Sequence, residues 1–440
     1  MENNTSTSNM NKTSVFRFVF GSILGIFLFF IKVPINGQGI LPVDWISNII
    51  KGLLANFNLP LALLASVVTV YRLVKTKFWK GKPIGIILNL LSFIAITLFL
   101  CDLFGILPQF LIENNIYTKS LNTMAPFSLG IATIMFLLPP LIGYGLPEAL
   151  GVFARPLTRP LFKLPGKSAV IIVSAFMGNF TVGHLQANDL YVTGKLNHRE
   201  AAIIATGFCT SSVGLIMSVL AAGGQMNSFS LLFFLIFIAT LLITAITAHI
   251  YPLNNYPTTY YENIEPDIEE NVKGNHFEIA YKTGINTCNS SKPIVKSCIE
   301  FGLKALPVVA NIFVNGTACM IVFTLMNHYT PIFSWVGMLF WPLLKLVGFE
   351  DIGLITSALG INAVDNVTSQ LTLVTAAGAS NMTVIFGCGF GIMTVIFFGA
   401  FLASLYSTKI NIKFIDLVVI WIERTALTVV IWGLIARLLA

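Results

Sequence analysis

Charge is what this sequence has least of. Asp, Glu, Lys and Arg make up 10% of its 440 residues, while 55% are hydrophobic; a soluble globular domain carries about a quarter charged residues. That balance excludes a soluble enzyme. Cysteine is scarce as well: Cys101, Cys209, Cys288, Cys298, Cys319 and Cys388 form no C-x-x-C pair, which argues against a disulfide framework and against a metal centre. The five histidines, His184, His198, His249, His276 and His328, show no ligand spacing. H-E-x-x-H, G-x-S-x-G, Walker A and G-x-G-x-x-G are all missing. Neither catalysis, a cofactor nor a metal is expected.

What the chain does have is apolar runs long enough to cross a bilayer. They are read at Phe16–Pro34, Leu53–Val74, Ile84–Leu107, Pro126–Leu146, Ala201–Ala222, Phe229–Tyr251, Phe301–His328, Thr383–Tyr406 and Ile415–Leu438. Two further stretches, Gly166–Gly194 and Glu350–Gly378, are apolar but broken by Asn, Thr, Asp, Gln and Gly. The expected fold is an all-α polytopic membrane protein, with about nine transmembrane helices and two re-entrant hairpins.

Basic residues set the orientation. With the N-terminus in the cytoplasm, 20 of the 26 Lys and Arg fall on the cytoplasmic side. The formal net charge of +7 is thereby explained by topology, and no nucleic-acid partner is expected. The C-terminus is expected outside. The first apolar run follows Lys12 and Arg17 like a signal peptide, but lacks a small-x-small cleavage site and is read as an uncleaved span. Residues 1–15 are expected to be a disordered leader, 16–147 a four-helix scaffold, 148–251 a first repeat, 252–300 an acidic cytoplasmic tether or regulatory loop, and 301–440 a second repeat.

The repeat is visible in the residues. Shifting Pro160–Phe208 by 182 positions lays it without a gap on Pro342–Phe390, and 12 of 49 pairs are identical. Pro160/Pro342, Lys163/Lys345, Gly166/Gly348, Gly178/Gly360, Gly207/Gly389 and Phe208/Phe390 are among them. Three spans separate equivalent points, so the second copy is inverted. Inverted repeats with a broken polar segment at mid-membrane depth are how secondary transporters build a site.

The first broken segment offers Asn179, Thr181, His184 and Gln186, followed by Asn188 and Asp189. The second offers Asn362, Asp365, Asn366, Thr368, Ser369 and Gln370. Asp365 stands out, because an intramembrane carboxylate is costly unless it pairs, meets water or serves a function. It is suited to binding a cation, exchanging a proton, or accepting from a solute hydroxyl or amine. Asn311 and Asn315 share one face of the seventh span and are read either as ligand contacts or as glue between helices. Glu423 and Arg424, inside the last span, are expected to form a structural or intersubunit ion pair. The basic segment Arg155–Lys163 and the aromatic segment Pro331–Leu346 precede the two hairpins and suit helices lying in the interface.

Between Pro147 and Gly214 the chain resembles a known family. The stretch Glu148–Ser168, E-A-L-G-V-F-A-R-P-L-T-R-P-L-F-K-L-P-G-K-S, and Asn197–Phe208, N-H-R-E-A-A-I-I-A-T-G-F, resemble the YjiH family of bacterial inner-membrane proteins. That family carries the nucleoside-recognition or Gate domain, also found in concentrative nucleoside transporters, the ferrous-iron permease and some sporulation proteins. The resemblance covers nearly the whole chain. It implies a trimeric elevator-type scaffold in the bilayer, with a small solute held between the hairpin tips and H+ or Na+ as coupling ion. Nucleoside transporters read the base with Gln, Asn and Glu at the first hairpin, and the ribose with Asn and Ser at the second. Here the first tip has no Glu. The solute class therefore stays open between nucleoside-like, amino-acid and peptide-like, and a non-transporting Gate-domain scaffold remains the alternative.

Overall fold

Backbone polar groups in lipid find no water, so a chain this apolar folds as helices that satisfy their own N–H and C=O groups. A computed structural model describes residues 12–35, 38–75, 83–113, 115–166, 168–169, 171–172, 180–210, 213–265, 275–289, 291–406 and 408–440. The expected leader lies largely outside the described residues. Its last residues belong to helix α1 (Lys12–Phe30). Strands β1 (Val33–Ile35) and β2 (Gln38–Ile40) form a short antiparallel ladder with Val33 opposite Ile40.

Helices α2 (Pro42–Leu53), α3 (Asn58–Lys75), α4 (Pro83–Leu103) and α5 (Ile116–Leu137) follow. The structure corrects the expected Pro126–Leu146 span, because α5 starts ten residues earlier and takes Pro126 inside it. Its first turns carry Thr118, Lys119, Ser120, Asn122 and Thr123, polar residues that hide a helix from a hydropathy reading. Ser120 returns its hydroxyl to Ile116 O at 2.8 Å. Among the described residues, five helices are long and apolar enough to cross a membrane: Thr13–Phe30, Ala55–Lys75, Ile116–Leu137, Met226–Thr247 and Ile294–Met326.

Two further sets of helices follow. Helix α6 (Leu146–Phe162), α7 (Phe180–Val192), α8 (His198–Gly207), α9 (Val213–Ala222) and α10 (Phe229–Thr247) form the first set. Helix α11 (His276–Asn289) and the long α12 (Ile294–Tyr329) connect it to the second. That set is α13 (Ile332–Gly337), α14 (Trp341–Val347), α15 (Ile352–Asn362), α16 (Asn366–Val374), α17 (Asn381–Thr394), α18 (Ala400–Leu405) and α19 (Phe414–Leu439).

Two expected spans are not continuous. Ala201–Ala222 is divided into α8 and α9, and Thr383–Tyr406 into α17 and α18. The second break runs through Val395-Ile396-Phe397-Phe398-Gly399, residues as apolar as the helices around them, so only backbone geometry reveals it. Val395 sits there at φ 59° and ψ −51°, outside the allowed regions for a β-branched residue. The glycines that the repeat shares act alike: a Cβ on Gly207 would come within 2.4 Å of Thr244 on α10, and one on Gly389 within 2.5 Å of the Trp432 ring on α19. Each glycine lets a broken span lie against the helix that follows it.

The acidic loop is more than a tether. Tyr256 donates to Asp416 at 2.7 Å, and His198 N and Arg199 N donate to Thr259 O and Pro257 O at 2.9 and 3.2 Å. Helix α11 packs on α6 and α1, and Gly145 and Gly284 meet so closely that a Cβ on Gly145 would be 2.3 Å from Gly284 O.

Candidate functional site

Helices α15 and α16, of 11 and 9 residues, are each too short to cross about 30 Å of hydrocarbon at 1.5 Å per residue. They pack against each other as a hairpin, whose turn is Ala363-Val364-Asp365. Asp365 caps α16: its backbone is extended and its Oδ2 accepts from Thr368 N at 2.7 Å. The carboxylate thus stands at a half-helix N-terminus, where the dipole favours negative charge.

The remaining polar residues of this tip form a buried network. Asn366 Nδ2 donates to Gly391 O on α17 at 2.9 Å, and Gln370 Nε2 donates to Asn366 Oδ1. Ser369 Oγ donates to Asn366 O at 2.7 Å and accepts from Asn362 Nδ2 at 3.4 Å. Asn362, Ser369 and Gln370 are fully buried. Even so, Asn362 Oδ1 and Gln370 Oε1 have no hydrogen-bond partner among the described residues. An unpaired buried acceptor costs about 1–3 kcal/mol, so this cluster is primed for donors. Phe398 N–H, in the break after α17, donates to Ala363 O at 2.6 Å and ties the tip to that break.

The seventh-span asparagines divide in role. Asn315 Oδ1 accepts the Ser92 hydroxyl and so joins α12 to α4. Asn311 Oδ1 is buried and unpartnered among the described residues. Cys319, about two turns beyond Asn311, packs in one cluster with Ile361 of α15, and Val364 of the turn lies against that cluster. Helices α12 and α16 are in contact. The Cys319 stretch of α12 therefore backs the hairpin tip.

In the first broken segment, Asn179 lies outside the described residues, and of Thr181 only the backbone is described. His184 is fully buried, with Nδ1 3.0 Å from Ser404 Oγ and Nε2 3.2 Å from Ala205 O. Ala205 O can only accept, so Nε2 carries the proton. Both nitrogens are engaged, and the ring packs on Phe401 with centroids 4.7 Å apart. His184 joins α7 to α8 and α18. Gln186 is half-buried and engaged, and Asn188 Oδ1 accepts from Lys409 N at 2.7 Å. In the same crosswise manner α7 contacts α18 and α16 contacts α9.

Within the chain, the structure corrects one expected pair. Arg424 does not reach Glu423: it donates to Met393 O, Thr394 O, Thr244 Oγ1 and Thr247 Oγ1. On a helix, successive side chains point about 100° apart, which separates the two. Glu423 Oε2 is buried without a partner among the described residues. Thr210, Thr244 and Thr247 also meet at the breaks. Their one sequence signal was a threonine within a span, which more often glues helices than binds ligands.

Residues 125–226 match the family model described as Gate, nucleoside recognition. A curated relative, an uncharacterized protein of Alkalihalophilus pseudofirmus OF4, is 26% identical, with 95% of this chain and 93% of that protein covered. Solved structures of CNTnw also align. A variant in an intermediate state gives a TM-score of 0.40 at 16% identity, covering 98% of this chain and 93% of that one. An inward-facing substrate-bound state gives 0.39 at 13%, covering 97% and 90%. The chain is thus a helical polytopic membrane protein that carries a match to a nucleoside-recognition domain.

Proposed function

We propose that this protein is a secondary membrane transporter of a small polar solute, held between the tips of the two hairpins and coupled to H+ or Na+. Asp365 carries the reading. It is a carboxylate at the turn of a hairpin whose arms are each too short to span the bilayer, near buried acceptors on Asn362 and Gln370 that have no donor among the described residues. Such a lining suits a solute rich in O–H and N–H groups, whether nucleoside-like, amino-acid or peptide-like. The Gate match to residues 125–226 supports the nucleoside-like end of that range. Asn366 and Ser369 shape the tip on this reading, and Asn179, Thr181 and Gln186 supply the facing wall. His184 and Asn315 hold helices in place. The resemblance adds a trimer and two inverted copies alternating access to one site; half-helices broken in both copies fit that picture.

The groups gathered here are amides, hydroxyls and one carboxylate, which bind and orient without supplying a nucleophile–base pair. The test is the unfolding temperature of purified protein against nucleosides, nucleobases, amino acids, dipeptides and carboxylates, with Na+ and pH varied. One class should stabilise the native protein and lose its effect in Asp365→Asn. A folded protein stabilised by none of them would favour the scaffold alternative.

A further inference from the structure

Two half-helices, α8 and α17, end inside the protein, and the last carbonyls of a helix lack backbone donors and carry about half a negative charge. At the end of α17 those carbonyls face Arg424. Its Nε lies 3.1 Å from Met393 O and 3.2 Å from Thr394 O, and its Nη2 lies 2.7 Å from Met393 O. At the end of α8, Gly207 O accepts the Thr244 hydroxyl at 2.9 Å. That hydroxyl in turn accepts from Arg424 Nη1 at 3.1 Å, and Thr247 Oγ1 stands 3.4 Å from the same nitrogen. One side chain thus serves both helix ends, directly at α17 and through Thr244 at α8.

Arg424 is 0% exposed, and its hydrogen-bond partners among the described residues are all neutral oxygens. Among the described residues no carboxylate lies within ion-pair distance of it. A guanidinium stays protonated in proteins, and a lone buried charge is strongly unfavourable unless something compensates it. The compensation available is the pair of negative helix ends. In transporters, carbonyls at unwound half-helix C-termini are what coordinate a coupling cation.

We infer that Arg424 is a tethered cation, occupying with its guanidinium the position that the two helix ends would otherwise offer to a free alkali ion. The second break then needs no Na+ to hold its shape, and any ion dependence of the cycle arises elsewhere. This deepens the transporter reading by assigning one cation to the chain itself. Its test reads unfolding alone, so it can fail while solute binding stands, and the reverse.

The experiment compares the wild type with Arg424→Lys, Arg424→Gln and Arg424→Ala in choline, sodium and guanidinium chloride at equal, non-denaturing ionic strength. Glu423→Gln serves as the control on the same helix. The charge-neutral Gln and Ala variants should unfold several degrees lower in choline and regain much of that loss in sodium or guanidinium, beyond any response of the wild type. Lys should keep most of the stability and gain no new cation response. Gln retains hydrogen-bond donors but no charge. Arg424→Gln as stable as Arg424→Lys, with no added cation response, would overturn the inference even if Arg424→Ala fails to fold.

Discussion

The Thr210 hydroxyl donates to the Ile392 carbonyl at 2.7 Å, and the two residues stand 182 positions apart, the same offset that aligns the repeated halves. Copies related by a rotation meet at equivalent positions only beside the axis relating them. This bond is what a two-fold relation between the halves would produce. Thr210 is buried, so Thr210→Val should leave the Ile392 carbonyl unpaired and lower stability by about 1–3 kcal/mol. Thr210→Ser should restore most of it. Denaturation in detergent, comparing the two variants, measures the difference.

The shared glycines make a sharper contrast. Gly207→Ala and Gly389→Ala each drive a methyl into a neighbour, the Thr244 methyl or the Trp432 ring, and overpacking of this kind costs about 1–3 kcal/mol. Gly353 on α15 has nothing within 4 Å of an added Cβ. Gly353→Ala should therefore be neutral or stabilising by up to about 1 kcal/mol. Unfolding temperatures of the three variants check the order.

The base of the second hairpin should depend on pH. Ser380 donates its backbone N–H and its hydroxyl to Asp351 Oδ2 at 2.9 and 2.8 Å, joining the start of α15 to the start of α17. These bonds, the backbone one foremost, hold the Asp351 carboxyl below its ordinary range. A depressed carboxyl contributes stability above its unfolded pKa and loses it as pH falls through the folded one. The attachment should thus be complete above about pH 4 and weaken below it. Asp351→Asn should lower stability at neutral pH and flatten this acid response. Hydrogen exchange across residues 378–384 as pH is lowered measures it.

How much of this was legible varies with the kind of signal. Polar residues interrupting an apolar unit mark Glu350–Gly378, and there the chain turns at Ala363–Asp365 between α15 and α16. The amphipathic α2 and the first turns of α5 were not read, because their polar residues resemble loop. The break at Val395–Gly399 has no compositional mark. Contacts distant in sequence were beyond reach too. Arg424 is adjacent to a carboxylate in sequence and invites an ion pair, yet its partners are carbonyls about 30 residues earlier and hydroxyls on α10. The docking of α11 on α6 depends on Gly145 meeting Gly284, a pairing with no periodic pattern.

The central claim is a site at the hairpin tips that opens in turn to each side of the membrane. Thr368, buried one turn into α16 with its backbone N–H on the Asp365 carboxylate, is the position at which to measure it. Thr368→Cys, in a background free of the native cysteines, is exposed to a membrane-impermeant thiol reagent in right-side-out and in inside-out vesicles. The account predicts labelling from both sides, slowed by the solute that stabilises the native protein. Labelling from one side only, or from neither, and unchanged by any solute, would contradict it.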